Sequence, residues 1–271
     1  MQLSFKEMMR LEAHGPDTFV GTGPTYPWGG LYGGQVVAQA LIAAAKTVKP
    51  AYLPHSLHAN FLRMGDAEEP VRYEVERLRD GRSFFARQVV ARQSTGAILN
   101  MSSVFRLATT TMDVQLAVAP KVPGPGEAKD ASWSRLFELR QVGCRELPLP
   151  GKAGDDQRCA CSWLKISEPL EEGATTHAAA LAYTSDSGPA RLVAAVHEEA
   201  CNPASPWRPL SLDHAIWFHR QFRADEWLLL QAFTGSVRDS SGLATGRIFS
   251  QDGALVASIA QDVLLRRPHN G

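Results

Sequence analysis

The hydrophobic pattern of the chain places two alanine-rich apolar segments ahead of two runs of strand-like residues. "LYGGQVVAQALIAAAKTV" (residues 31–48) is apolar on nearly every side until Lys46, and "THAAALAYTSDSGPARLVAAV" (residues 176–196) has the same character. A helix without a polar face is normally enclosed by other structure. Both segments therefore predict buried central helices.

Four strand-like segments follow each predicted helix. They are "HSLHANFLR", "VRYEVERLR", "SFFARQVVARQ" and "GAILNMSSVFRL" in the first half, and "LSLDHAIWFHR", "EWLLLQAFTG", "SGLATGRIFSQ" and "GALVASIAQDVLLRR" in the second. Ser56 and Gly96 are 40 residues apart, and Ser211 and Gly253 are 42 residues apart. The two halves therefore predict two copies of one helix-plus-sheet unit.

A stretch rich in proline, glycine and charge separates the copies and contains "APKVPGPGEAKD" and "ELPLPGKAGDDQ". We expect an N-terminal unit over residues 1–108, a connector over residues 109–158 and a C-terminal unit over residues 159–271. Within the connector, "DASWSRLFELR" is a candidate for a short helix with Asp130 as its N-cap. The connector is accordingly expected to pack against the rest of the chain.

The strand "LSLDHAIWFHRQ" (residues 210–221) carries a hydroxyl, a carboxylate and two imidazoles among its aromatic residues. With strict alternation Ser211 and Asp213 share one face, and His214 lies on the other. Ser211 and His214 then point in opposite directions, which argues against a Ser-His-Asp triad. We expect Asp213 and the histidines to secure the strand through buried hydrogen bonds to the connector or to the other copy.

Composition narrows the choice of partners. The 28 basic side chains balance the 28 acidic ones, so no basic surface indicates nucleic acid or an anionic membrane as partner. "MQLSFKEMMRLEAHG" lacks the basic and apolar regions of a secretory signal, and no apolar run is long enough to span a bilayer, so we expect a cytoplasmic protein. The cysteines lack zinc-site spacing and are expected to be reduced thiols, with no metal or cofactor; they are Cys144, Cys159, Cys161 and Cys201.

Four longer motifs, "GGQVVAQAL", "HSLHANFLRMGD", "YEVERLRDGRSFFARQVVARQ" and "SLDHAIWFHRQFRADEWLL", closely resemble the type II acyl-CoA thioesterases of bacteria, the TesB-like double hotdog proteins. The resemblance covers residues 15–108 and 160–267. It implies an α+β double hotdog, in which two antiparallel sheets each wrap around a central helix. We expect the two sheets to join into one continuous sheet, because their edge strands would lie side by side. The implied activity is hydrolysis of fatty acyl-CoA to free fatty acid and CoA.

The resemblance also implies a catalytic set made of an aspartate in the second helix, a hydroxyl two residues before the aspartate of "LDH", and a glutamine near the C-terminus. In this chain they fall on Asp186, Ser211 and Gln261. The chain departs from the family pattern in having serine rather than the commoner threonine, in lacking an arginine near Ser241, and in reading "AQDV" where many members have "QEG". These departures leave an alternative function open, an acyl-CoA-binding hotdog protein with weak or lost catalysis.

Thioester hydrolysis needs a positioned water, a base and stabilisation of the carbonyl oxygen. Asp186 can take a proton from a water that Ser211 and Gln261 hold. Direct attack by Asp186 to form an anhydride is the other route, and we favour activation of water. Gly188 and Pro189 predict that the helix is kinked or restarted just after this aspartate.

The remaining candidates concern binding. Gly33 and Gly34 allow close backbone approach at a helix start, and with Gln35 they are expected to contribute to the pocket and to an oxyanion site. The first copy places Gln35 and Val104 where the second has Asp186 and the C-terminal glutamine, so it is expected to be catalytically silent.

Arginines of the first half are candidates for binding the phosphates of CoA, chiefly Arg63 and Arg82, with Arg79 and Arg87 as further possibilities. A solvated strand face is the alternative explanation for them. Association of the chain into a homo-oligomer is also expected, since symmetric contacts are common among soluble proteins.

Overall fold

The computed structural model describes residues 3–109, 112–142, 158–201 and 207–267. The helices are α1 (Phe5–Met8), α2 (Gly33–Ala45), α3 (Ala174–Ser185) and α4 (Pro189–Cys201). The strands are β1 (Glu12–Ala13), β2 (Thr18–Gly21), β3 (Tyr52–Phe61), β4 (Val71–Asp80), β5 (Phe84–Gln93), β6 (Gly96–Leu107), β7 (Lys129–Asp130), β8 (Phe137–Val142), β9 (Arg158–Ile166), β10 (Arg208–Ser211), β11 (Asp213–Phe218), β12 (Leu228–Arg238), β13 (Ser241–Ser250) and β14 (Leu255–Arg266).

The strands form one antiparallel sheet that runs through both halves of the chain. Its order is β1-β2-β4-β5-β6-β3-β11-β14-β13-β12-β9-β8-β7, with β10 also paired to β14. The halves join where β3 meets β11, and there Leu57 lies opposite Ile216 with both side chains buried. The two half-sheets mirror each other across this seam, so the predicted double hotdog with a continuous sheet is confirmed.

Each half-sheet wraps around one helix, α2 in the first half and α4 in the second. The additional helix α3 packs along α2, and small side chains on both helices are fully buried. Ala38 and Ala40 on α2 and Ala179 and Ala180 on α3 have no exposed surface, which lets the two helices approach closely. The alanine-rich composition that predicts enclosed helices thus serves a contact between the two halves.

The second predicted helix is interrupted, as Gly188 and Pro189 indicate. Helix α3 ends at Ser185 with Asp186 as its C-cap, and α4 begins at Pro189. Proline suits a first helical position, because its fixed φ is helical and its missing N–H would have no partner there. The restart places the side chain of Asp186 at the junction between two helices.

The connector contains strands rather than the predicted helix. Lys129–Asp130 and Phe137–Val142 are strands, and the second of them pairs with β9 at the edge of the sheet. The side chain of Asp130 accepts hydrogen bonds from the backbone and hydroxyl of Ser132, which makes a turn instead of a helix cap. The helix prediction was wrong because Phe137 and Leu139, both buried, follow a strand period of two. The described part of the connector does pack, as expected.

The strand that carries Ser211 is broken by a bulge. Ser211 pairs with Val263 and Ala215 pairs with Ala260, so four steps along one strand match three along the other. Strict alternation therefore fails at this point, and the prediction that Ser211 and His214 point in opposite directions is wrong. His214 is fully buried, and the hydroxyl of Ser211 is also turned toward the interior, where it meets Gln261.

Asp213, beside the bulge, links the two halves. Its carboxylate accepts a hydrogen bond of 2.7 Å from the backbone N–H of Asp262 and lies 2.9 Å from Nε2 of His58 on β3. The expected tie to the other copy is confirmed. The expectation that such ties are buried is not met here, because the side chain of His58 is 52% exposed.

Arg87 is the largest fully buried side chain of the described residues. Its Nε donates to Oγ1 of Thr47 at 2.7 Å, and its Nη1 donates to the carbonyl of Arg79 at 3.0 Å. Asp80 pairs with the same guanidinium. Arg87 therefore stabilises the β4–β5 hairpin against the end of α2 and is unavailable to a phosphate.

Replacing Arg87 by methionine should lower the free energy of unfolding by about 3 kcal/mol, because Asp80 and the carbonyls lose their donor. Arg82→Met is the matched control, since Arg82 is an exposed arginine of the same hairpin and its change should stay below about 0.5 kcal/mol. Chemical denaturation of both variants measures the difference. Equal stabilities for the two variants would contradict this assignment.

Candidate active site

The three predicted catalytic residues meet in the second half of the chain. Nε2 of Gln261, in the middle of β14, donates a hydrogen bond of 2.8 Å to Oδ1 of Asp186 at the end of α3. The same Nε2 donates to Oγ of Ser211 at the end of β10. Because helix α4 and strands β10–β13 separate Asp186 from β14 along the chain, only the folded sheet brings these three side chains together.

The cluster is almost closed to solvent. Asp186 is 9% exposed and Gln261 is fully buried, whereas Ser211 is half-buried and marks the open side. Burial raises the pKa of Asp186 above its ordinary value, and the nearby His214, Gln261, the Gly34 backbone and Ser211 act in the opposite direction. A carboxylate whose pKa is raised is a better proton acceptor than an ordinary aspartate.

Gly33 and Gly34, at the start of α2, form the opposite wall. A Cβ on Gly33 would lie 2.8 Å from Oδ2 of Asp186, and one on Gly34 would overlap the carbonyl oxygen of Tyr183. The hydroxyl of Tyr32 donates to that same carbonyl at 2.7 Å. The two glycines thus let the N-terminus of a 13-residue helix from the first half approach the carboxylate of the second.

Gln35 is not part of this cluster. Its side chain is fully buried, and its Oε1 accepts a hydrogen bond of 2.6 Å from the hydroxyl of Tyr26. Its Nε2 donates to Gln39 at 3.4 Å, and Gln39 in turn is bonded by the hydroxyl of Tyr73. Gln35 therefore belongs to a polar network inside the first half, and any effect it has on the site is exerted through α2.

Arg63 and Arg82 lie at opposite ends of the first half-sheet. Arg63 follows β3 and donates to the carbonyl of Ala97 at 2.9 Å, beside the turn after β5. Arg82 lies in the turn before β5, a strand of ten residues that spans about 30 Å. They are too far apart to hold one phosphate group. Arg63 lies at the end of the half-sheet that is nearer the site, two residues from Phe61, whose ring contacts Gly33.

Sequence reasoning gave His214 a purely structural role, yet it lies beside the cluster of Asp186, Ser211 and Gln261. Its Nε2 is 2.9 Å from Oγ of Ser185, the residue just before Asp186. Burial lowers the pKa of His214, while Asp186, Asp213 and the amide of Gln261 act to raise it. The imidazole was missed because the bulge, which no motif in the sequence marks, is what turns its strand toward the site.

The connector supplies a further wall that sequence reasoning did not identify. Nε1 of Trp133 donates a hydrogen bond of 2.9 Å to Oγ of Ser187, one residue after Asp186. The ring of Trp133 also packs edge-on against Tyr32 and Phe137 at centroid distances of 4.8 and 5.0 Å. The connector thus contacts the start of α2 through Tyr32 and the junction of α3 and α4 through Ser187.

Other expectations concern metals, thiols and membranes. Within the described residues, no three histidine, cysteine or carboxylate side chains are grouped so that they would hold a metal ion. Cys159, Cys161 and Cys201 form no disulfide among the described residues, and Cys144 lies outside them. None of the helices in the described ranges is long and apolar enough to cross a membrane.

Comparison with known proteins identifies the family of the chain. The family described as acyl-CoA thioesterase N-terminal domain matches residues 22–112, and the family described as acyl-CoA thioesterase C-terminal domain matches residues 114–265. Acyl-coenzyme A thioesterase 8 of Homo sapiens is 32% identical over 96% of this chain and 88% of its own length. Acyl-CoA thioesterase 2 of Haemophilus influenzae is 33% identical over 87% of each chain.

Among solved structures, the acyl-CoA thioesterase II TesB2 of Mycobacterium marinum is 36% identical and superimposes with a TM-score of 0.81 over 98% of this chain and 99% of its own. The matched families cover nearly all the described residues, and the relatives are similar over both halves. The chain therefore belongs to the acyl-CoA thioesterase family and is an acyl-CoA thioester hydrolase of the double hotdog type.

Proposed function

We propose that this enzyme hydrolyses fatty acyl-CoA to free fatty acid and CoA with a water that Asp186 activates and that Ser211 and Gln261 hold in place. One observation carries the proposal, namely the amide of Gln261 that bridges the buried carboxylate of Asp186 and the hydroxyl of Ser211. A buried carboxylate is costly unless it is hydrogen-bonded, so an arrangement drawn from three distant segments indicates a function beyond packing.

In this mechanism ionised Asp186 accepts a proton from the water, whose oxygen adds to the thioester carbonyl. The carbon–sulfur bond then breaks, and the proton passes from Asp186 to the departing CoA sulfur. Because Ser211 accepts a hydrogen bond from Gln261, its own O–H is left to donate to the water or the substrate. Its half-buried position on the open side of the cluster suits that role.

The N-terminus of α2 is the proposed oxyanion site. Backbone N–H groups at a helix start are directed outward and carry partial positive charge. Gly33 and Gly34 let this helix start approach Asp186 closely, so a carbonyl attacked by a water on Asp186 would lie next to it, and this supports their assignment as substrate-contacting residues. Gln35 supports the same helix from inside, through Tyr26.

Activation of water is favoured over anhydride formation by the crowding of Asp186. One carboxylate oxygen accepts from Gln261, and the other is so close to Gly33 that a methyl group there would lie 2.8 Å away. An anhydride requires an acyl carbon to bond to one of these oxygens. Transfer of a proton needs much less room than such an attack.

Asp186→Asn should lower kcat by about a hundredfold to ten-thousandfold, with KM changed less than threefold, because it removes the general base but keeps the shape of the site. Steady-state kinetics over acyl-CoAs from two carbons to long chains measures both constants. Because burial raises the pKa of Asp186, folding disfavours its ionised form at neutral pH, so the variant should be at least as stable as the wild type.

The matched control for that variant is Asp213→Asn, which alters a carboxylate on the neighbouring strand that does not touch the cluster. An asparagine there can still accept from the N–H of Asp262, and most of the activity should remain. Equal kcat in wild type and Asp186→Asn would remove Asp186 from catalysis. A wild-type protein that binds acyl-CoA but releases no CoA would support the alternative of a binding protein instead.

The pH profile of kcat/KM should fall on the acid side as Asp186 becomes protonated. Because burial raises the pKa of Asp186, the fall should occur at higher pH than for an ordinary aspartate, which titrates near about 3.9. Ser211 lowers this pKa, so Ser211→Ala should move the acid limb to still higher pH. Ser258→Ala, which removes a β14 hydroxyl bonded to His219 instead, should leave the limb in place. An unmoved limb in Ser211→Ala would contradict the assignment.

Arg63→Met should raise KM for acyl-CoA by about tenfold or more if Arg63 contacts a phosphate, since hydrogen bonds to charged groups contribute about 1.5 to 3 kcal/mol. Arg82→Met should leave KM within twofold, because Arg82 lies at the other end of β5 from the site. Acyl-pantetheine, which lacks the nucleotide phosphates, should be hydrolysed equally by wild type and Arg63→Met. A larger rise in KM for Arg82→Met than for Arg63→Met would assign the phosphate contact to Arg82 instead.

A further inference from the structure

His214 is a fully buried polar side chain for which the proposed reaction has no role so far. Its Nε2 lies 2.9 Å from Oγ of Ser185. Its other ring nitrogen, Nδ1, is also buried and has no hydrogen-bond partner within the described residues. Buried polar atoms in native proteins are rarely left without a partner, so this nitrogen needs an explanation.

A second buried atom without a partner belongs to Gln261. Its Nε2 bonds to the catalytic cluster, but its Oε1 has no partner in the described part of the chain. The pairing of β11 with β14 places Ala215 opposite Ala260, so His214 and Gln261, one position further along, face each other. Opposite residues in such a pair have Cβ atoms about 4.5 to 5.5 Å apart.

The polarity of the hydrogen bonds follows from the ionised carboxylate. Asp186 can only accept, so Gln261 must turn its NH₂ toward it and its carbonyl oxygen away. That oxygen then needs a donor. The donor-bearing atom across the strand pair is Nδ1 of His214, provided that it carries the proton, and Nε2 must then accept from the hydroxyl of Ser185.

We propose that His214 is a positioning residue, held neutral with its proton on Nδ1, that donates to Oε1 of Gln261 and thereby fixes the amide of Gln261 toward Asp186 and Ser211. Its consequence for catalysis rests on the proposed function. The proposed tautomer of His214 and its hydrogen bond to Gln261 are independent of that function.

The groups around His214 are consistent with a neutral ring. Burial lowers its pKa, and His58 on β3 acts in the same direction. Asp186 from the end of α3, Asp213 from its own strand and the side chain of Gln261 raise this pKa. The contribution of Gln261 agrees with a donor on His214 that faces its carbonyl oxygen.

The tautomer can be observed directly. Long-range proton–nitrogen correlation spectra of protein with ¹⁵N-labelled histidine, assigned by loss of one signal in His214→Asn, should show a neutral ring with its proton on Nδ1 near pH 7.5. Ser185→Ala removes the hydroxyl that donates a hydrogen bond to Nε2, so it should shift the ring proton of His214 toward Nε2. A charged ring or an Nε2–H tautomer in the wild type would overturn the proposal.

Two amide substitutions test the positioning effect. In His214→Asn the side-chain NH₂ can replace Nδ1–H, whereas in His214→Gln the amide reaches the Nε2 position near Ser185 and leaves Oε1 of Gln261 without a donor. We expect kcat within about fivefold of wild type for Asn and lowered by about thirtyfold to a hundredfold for Gln, with KM unchanged in both, because small misplacements of a catalytic group have effects of this size.

Equal kcat values in the Asn and Gln variants, with both folded by circular dichroism, would overturn the positioning role. If a variant fails to fold, the tautomer of the wild type still decides the proposal. An Asp186→Asn variant with full activity would defeat the proposed reaction, yet the spectra would still report on the contact between His214 and Gln261. Loss of activity in Asp186→Asn together with the wrong tautomer would defeat only the role of His214.

Discussion

The fold holds one carboxylate where little water reaches it, and the rest of the site follows from that constraint. Asp186 is 9% exposed, and a charge in such a place is unfavourable unless hydrogen bonds replace its water. The NH₂ group of Gln261 and the helix start at Gly34 provide this replacement. The compensation is partial, because the pKa of Asp186 still lies above its ordinary value. Incomplete compensation leaves the carboxylate more basic than an ordinary aspartate, which suits the proposed role in taking a proton from water.

Three local departures from regular structure build this environment. A helix restart at Pro189 leaves Asp186 between two helices, and a bulge after Ser211 turns its hydroxyl inward. The pair Gly33 and Gly34 removes the side chains that would push α2 away from the carboxylate. The restart interrupts a helix and the bulge interrupts a strand, whereas the two glycines are the first residues of α2. Such local inconsistencies in an otherwise regular fold are expected at functional sites.

The regular parts of the structure were predictable because they depend on periodicity. The central helices and the eight long strand segments follow from apolar patterns repeated at similar spacings. The joined sheet was expected because the edge strands of the two wrapped sheets that the resemblance implies would lie side by side. The connector strands were not predictable, because a short segment such as the one around Phe137 satisfies helix and strand patterns about equally. The bulge at Leu212 was missed for another reason, since it is fixed by the register against β14 and not by its own residues. The position of His214 depends on that register, and the position of Trp133 depends on packing between distant segments. Neither position beside the site is encoded in a local sequence pattern.

The duplicated architecture explains why one site needs both copies. The start of α2 in the first half lies directly against the end of α3 in the second. The volume and charge of a side chain on one helix end therefore limit which side chains fit on the other. A second carboxylate at Gly33 or Gly34 would raise the pKa of Asp186 further by like-charge repulsion and would hold its proton too firmly. Glycine avoids both the charge and the volume, and it leaves a positive helix end in their place. An acid at the start of α2 would therefore compete with Asp186 for the space that the two halves share.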